Sequence, residues 1–78
     1  MKKNFRTPDY MQILADNLRV LIGGRTITEF AKEVGIPQQT ISRYLLCQRE
    51  ISLANLIKIA DCYGEHIDVL LGRDEFCY

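Results

Sequence analysis

Between Thr26 and Leu46 the chain reads TITEFAKEVGIPQQTISRYLL, and the break at Gly35-Ile36-Pro37 limits the possible folds more than any other feature. Glycine takes positive φ without a Cβ clash and proline has no N–H with which to continue a helix, so the chain turns sharply here. Before the break, Thr26 and Glu29 make a T-x-x-E capping box, which satisfies free backbone N–H groups at a helix start. Ile27, Phe30, Ala31 and Val34 follow at i, i+3, i+4 and i+7, one apolar helical face. After the break a second helix starts at Pro37 or Gln38. Its Ile41, Tyr44 and Leu45 face back towards the first helix, while Gln38, Gln39, Ser42 and Arg43 project the other way.

Two helices joined by a glycine-containing turn suggest a helix-turn-helix, a unit that lays its second helix in the major groove of DNA. The chemistry of the outward face fits that use. A glutamine amide matches adenine N6/N7 and a guanidinium matches guanine O6/N7, so Gln38, Gln39 and Arg43 are expected base-reading residues. Ser42 joins them because a hydroxyl both donates and accepts. Thr40, on the flank, can reach a phosphate or set its methyl against a thymine methyl.

The segment Leu14 to Gly72 resembles the Cro and phage-repressor, or XRE-like, type of helix-turn-helix DNA-binding protein. The resemblance is carried by Glu29-Phe30-Ala31 with Gly35 four residues on, by Gln39-Thr40-Ile41-Ser42-Arg43-Tyr44, and by Ile67-Asp68-Val69-Leu70-Leu71-Gly72. It implies an all-α, compact five-helix lambda-repressor-like domain, with Ala31 at the close helix crossing and Ile41 buried. It also implies base reading by Gln38, Gln39, Ser42 and Arg43, with helix 3 spanning residues 38–46.

The chain departs from the family pattern at four places. The family often pairs an arginine at the position of Arg19 with a glutamate at that of Leu45, and that glutamate is absent. Ile27 stands where many members carry a glutamine that touches the DNA backbone. The helix start can still hold a phosphate through its N–H groups, so Arg25, Thr26 and Thr28 are expected backbone contacts. Capping alone is an equally good account of Thr26. Cys47 occupies a glycine position, which implies a different helix end or modest strain. Fewer basic residues follow than the family has, leaving Arg49 as the main candidate there for a backbone contact. Leu46 and Cys47 make this surface more apolar than the family pattern.

The remaining segments divide into three further helices and two tails. Thr7-Pro8 reads as an N-cap and first helical residue, with Asp9 adding charge that the helix dipole favours. Tyr10, Leu14, Leu18, Leu21 and Ile22 line the first helix up to Gly23-Gly24. Ser52 caps a fourth helix with Leu53, Leu56, Ile57, Ala60 and Tyr63 as its apolar face, closed by Gly64. His66 caps a short fifth helix through Ile67, Leu70 and Leu71, ending at Gly72. The expected organisation is a flexible basic tail at residues 1–7, a helix-turn-helix domain at 8–72, and a short tail at 73–78. That last tail carries Phe76 and Tyr78 and is associated with dimerisation.

Seventy-eight residues suffice for one domain that buries roughly 60% of its unfolded surface. The formal net charge is zero, unusual for a nucleic-acid binder, but it is unevenly spread. Residues 1–52 hold eight basic against five acidic groups, and residues 53–78 hold two against five. Cys47, Cys62 and Cys77 are odd in number and lack CxxC spacing, which fits neither a disulfide scaffold nor a zinc site and suits a reducing cytoplasm. No secretory or membrane-spanning segment is expected, since polar residues interrupt the region behind Lys2, Lys3 and Arg6. Nothing resembles an enzyme's acid-base pair, nucleophile, metal cluster or phosphate loop, so no cofactor, no metal and no catalytic residue is expected. The leading reading is a dimeric repressor of a double-stranded DNA operator. The alternative is a protein-interaction module on the same fold, such as an antitoxin bound to a toxin, which accounts for the neutral charge and for Leu46, Phe76 and Tyr78.

Overall fold

The computed structural model describes residues 9–73, all of whose regular elements are helices. They are α1 (Tyr10–Ile22), α2 (Ile27–Val34), α3 (Gln38–Leu45), α4 (Leu53–Tyr63) and α5 (Ile67–Leu70). The expected all-α, five-helix architecture is therefore the one the chain adopts. The basic segment 1–7 and the expected roles of Phe76, Cys77 and Tyr78 lie outside the described residues.

Each of the first four helices sends one large, fully buried side chain to a common core: Leu18, Phe30, Ile41 and Ile59. Leu70 of α5, 2% exposed, closes it. Burying a side chain of this size stabilises the fold by roughly 1.5–3 kcal/mol, so these few positions fix how the helices sit. The apolar stripe expected on α2 packs as Phe30, Ala31 and Val34, and that of α3 as Ile41, Tyr44 and Leu45.

The expected face of α4 needs correction. Leu53 is 70% and Ile57 41% exposed, while Ile59, omitted from that face, is fully buried. The stretch LANLIKIA is apolar in two overlapping helical phases, and packing against α2 and α5 selects Leu56, Ile59 and Ala60. The start of α1 also differs. Asp9 is the N-cap itself, its carboxylate accepting from the N–H of Gln12 at 3.2 Å, while Thr7 and Pro8 lie outside the described residues. Helix α3 ends at Leu45 with Leu46 as its C-cap, one residue short of the expected span.

Two polar contacts fasten the frame around α3. Asn55 of α4 donates to the buried Tyr44 hydroxyl at 2.8 Å. Asn17 of α1 donates to the carbonyl of Leu70 at 2.8 Å, anchoring the four-residue α5, which is too short to hold itself.

Candidate nucleic-acid interface

The turn between α2 and α3 is built as its residues dictate. Thr26 Oγ1 accepts from the N–H of Glu29 at 3.1 Å, and Glu29 Oε1 accepts from the N–H of Thr26 at 2.9 Å. The Thr26 N–H and, at 3.3 Å, the Thr26 hydroxyl both donate to Glu29 Oε1 and hold the Glu29 carboxyl below the usual carboxylate range. Gly35 takes φ 75°, and the N–H of Ile36 closes back onto the carbonyl of Ala31, so α2 stops where α3 must begin.

Helix α3 leaves this turn with Gln38, Gln39 and Arg43 exposed and Ser42 and Thr40 half-buried. Their side chains make no hydrogen bond to any described residue, so the amides and the guanidinium remain available to a ligand. The structure thus brings Gln38, Gln39, Ser42 and Arg43 together on one helix, opposite Ile41, Tyr44 and Leu45.

The expected backbone contacts divide into two groups. Thr28 is exposed on α2, and Arg49 is exposed in the loop after α3. Arg25 is exposed too, but its donors are engaged within the domain: it donates to Glu33 Oε1 at 2.6 Å, to the Tyr63 hydroxyl at 2.7 Å, and to the carbonyls of Leu21 and Ile22 at 2.9 and 3.2 Å. Tyr63 donates in turn to Glu33, and its ring stacks on Phe30 with centroids 6.0 Å apart. Bonds from Tyr63 and Arg25 hold the Glu33 carboxyl below the usual carboxylate range, while burial and then the bond to Glu33 push the Tyr63 hydroxyl up against the opposing pull of Arg25. Four acceptors around one guanidinium make Arg25 a clamp between α2 and α4. Thr26 is likewise spent on its cap, beside the Glu29 carboxylate that would repel a phosphate.

Two residues on this surface, Lys32 and Leu46, were not among the expected DNA contacts. Lys32, exposed one turn beyond Thr28, lines with Thr28, Pro37 and Gln38 a shallow hollow between α2 and α3. Its i+4 spacing from Thr28 was the available signal. Leu46 falls at i+3 and i+4 from Arg43 and Ser42, in their row, and is 61% exposed.

The arrangement is a short helix buried along one side, a glycine turn and a second helix whose polar face is open. The helix-turn-helix family model HTH_3 matches residues 17–70. The chain belongs to the Cro/C1-type helix-turn-helix family. As a member of that DNA-binding family it carries the lambda-repressor-like fold. Neither the curated proteins nor the solved structures give a significant match. Among the described residues no helix is long and apolar enough to cross a membrane, and no group of His, Cys, Asp and Glu is placed to hold a metal ion.

Proposed function

We propose that this helix-turn-helix protein is a sequence-specific transcriptional repressor that binds a double-stranded operator as a homodimer and reads the major groove with α3. The observation that carries the reading is how the polar groups are spent. Arg19 and Arg25 are bound to internal acceptors, whereas Gln38, Gln39 and Arg43 are exposed and engage no described residue. Base edges supply the partners these groups lack, with the amides on adenine and the guanidinium on guanine. Thr28, Lys32, Thr40 and Arg49 would hold flanking phosphates.

Pairing follows from charge and geometry. A domain with few basic contacts gains little from phosphate neutralisation, and a second copy doubles the number while setting two reading helices about 34 Å apart, one turn of DNA. The compartment that goes with this reading is the cytoplasm, where free thiols such as Cys47 and Cys62 stay reduced.

Selection of binding sites from random duplex DNA tests the proposal. A palindromic consensus is expected, with Gln39→Ala and Arg43→Ala each weakening binding by about 1–3 kcal/mol while folding stays intact. Failure to enrich any sequence, or wild-type affinity in both variants, would overturn base reading by this face. Sedimentation of the full chain checks the dimer, and deletion of Phe76 to Tyr78 asks whether that tail supports it.

A further inference from the structure

We infer that Leu46 is a further base-reading residue, one that receives a thymine 5-methyl group; the inference rests on the DNA-reading face proposed above. A single exposed leucine is ordinary on a protein surface. What distinguishes Leu46 is its row. It lies seven residues beyond Gln39, four beyond Ser42 and three beyond Arg43, so all four side chains emerge from one side of α3. Among the described residues the other large exposed apolar side chains, Val20, Leu53 and Ile57, belong to α1 and α4.

Its backbone is also fixed. The N–H of Leu46 donates to the carbonyl of Ser42 at 3.1 Å, and that of Gln48 to the carbonyl of Arg43 at 2.8 Å. Cys47, at φ 57°, then swings the chain off the helix axis. Leu46 is therefore the last side chain in the row, about 10 Å along the axis from Gln39.

The chemistry selects the ligand. Leucine offers neither donor nor acceptor, and the thymine methyl is the apolar feature the major groove presents. A leucine here would sort T·A pairs at a position where an amide or guanidinium would sort adenine or guanine.

The test replaces each thymine of the selected operator, one at a time, by deoxyuridine, which removes the methyl and leaves every hydrogen-bonding group in place. The wild type is expected to lose about fourfold in affinity at one position of each half-site. Leu46→Ala is expected to bind the thymine duplex as weakly as the wild type binds the deoxyuridine duplex, and to treat the two alike. Indifference of the wild type to every replacement, or undiminished methyl sensitivity in Leu46→Ala, overturns the inference while operator binding stands. A Leu46→Ala variant that alters self-association and leaves DNA affinity unchanged assigns the side chain to a second copy and overturns it too. Loss of all sequence-selective binding by the wild type would instead remove the DNA-reading proposal itself.

Discussion

Arg19 Nη2 donates to the backbone carbonyl of Leu45 at 3.0 Å, so a side chain of α1 closes the last turn of α3. A helix end leaves four carbonyls without intrahelical partners. Here the carbonyls of Ser42, Arg43 and Tyr44 accept from the N–H groups of Leu46, Gln48 and Cys47, and that of Leu45 accepts from Arg19. The guanidinium also brings positive charge to the negative end of the helix dipole. The glutamate that family resemblance would place at position 45 is not needed, because Leu45 buries its side chain and offers its backbone. Arg19→Ala should lower stability by about 1 kcal/mol, a figure reduced for solvent exposure, with Arg19→Lys recovering part of it. Urea unfolding monitored by circular dichroism measures both, and an unchanged midpoint in Arg19→Ala would refute the cap.

Cys47 is the one non-glycine with positive φ among the described residues. Its N–H and that of Gln48 complete the closing motif in which glycine usually occupies the left-handed position. A Cβ in this conformation costs about 1–2 kcal/mol, while glycine adds unfolded-state entropy worth about 0.4–1 kcal/mol. Cys47→Gly should therefore raise the thermal midpoint by a few degrees, since a gain of about 1 kcal/mol shifts a domain of this size by about 4–8 °C. A β-branched replacement, Cys47→Val, should lower it.

Acid should loosen the clamp between α2 and α4. Bonds from Tyr63 and Arg25 hold the Glu33 carboxyl below its usual 4.5, so the unfolded chain binds a proton there before the folded one does. Its contribution is present above that value and is lost as pH falls through the lower folded value. Tyr63, pushed up from 10.0 by burial and by Glu33, works in the opposite sense: its contribution is lost as pH rises above that value. Glu33→Gln should flatten the acid limb of a stability profile measured by urea midpoints from pH 7 to 3. An acid limb as steep as the wild type's would count against the clamp.

Lys32 should act on DNA through charge alone. Lys32→Ala is expected to weaken every sequence alike and to lessen the slope of log K against log salt by about 0.9. Arg43→Ala should change sequence preference as well. Salt titrations on the selected operator and on an unrelated duplex distinguish the two behaviours.

The helices and the turn were legible because their signals are local. Thr26 and Glu29 specify a cap three residues apart, Gly35 and Pro37 specify a turn, and the spacing of Ile41, Tyr44 and Leu45 leaves one polar side on α3. Conformation over a few residues follows from propensity, capping and backbone sterics, which the sequence states directly.

Tertiary structure alone decided between alternatives that local rules leave equal. Helix α4 had two apolar phases, and contact with its neighbours buried Ile59 and exposed Ile57. Arg25 and Lys32 are both exposed cations near the start or face of α2, yet only the fold brings Glu33 and Tyr63 to Arg25 and thereby occupies its donors. Whether a charged group is spent or available depends on partners distant in sequence, and packing is what sets those distances.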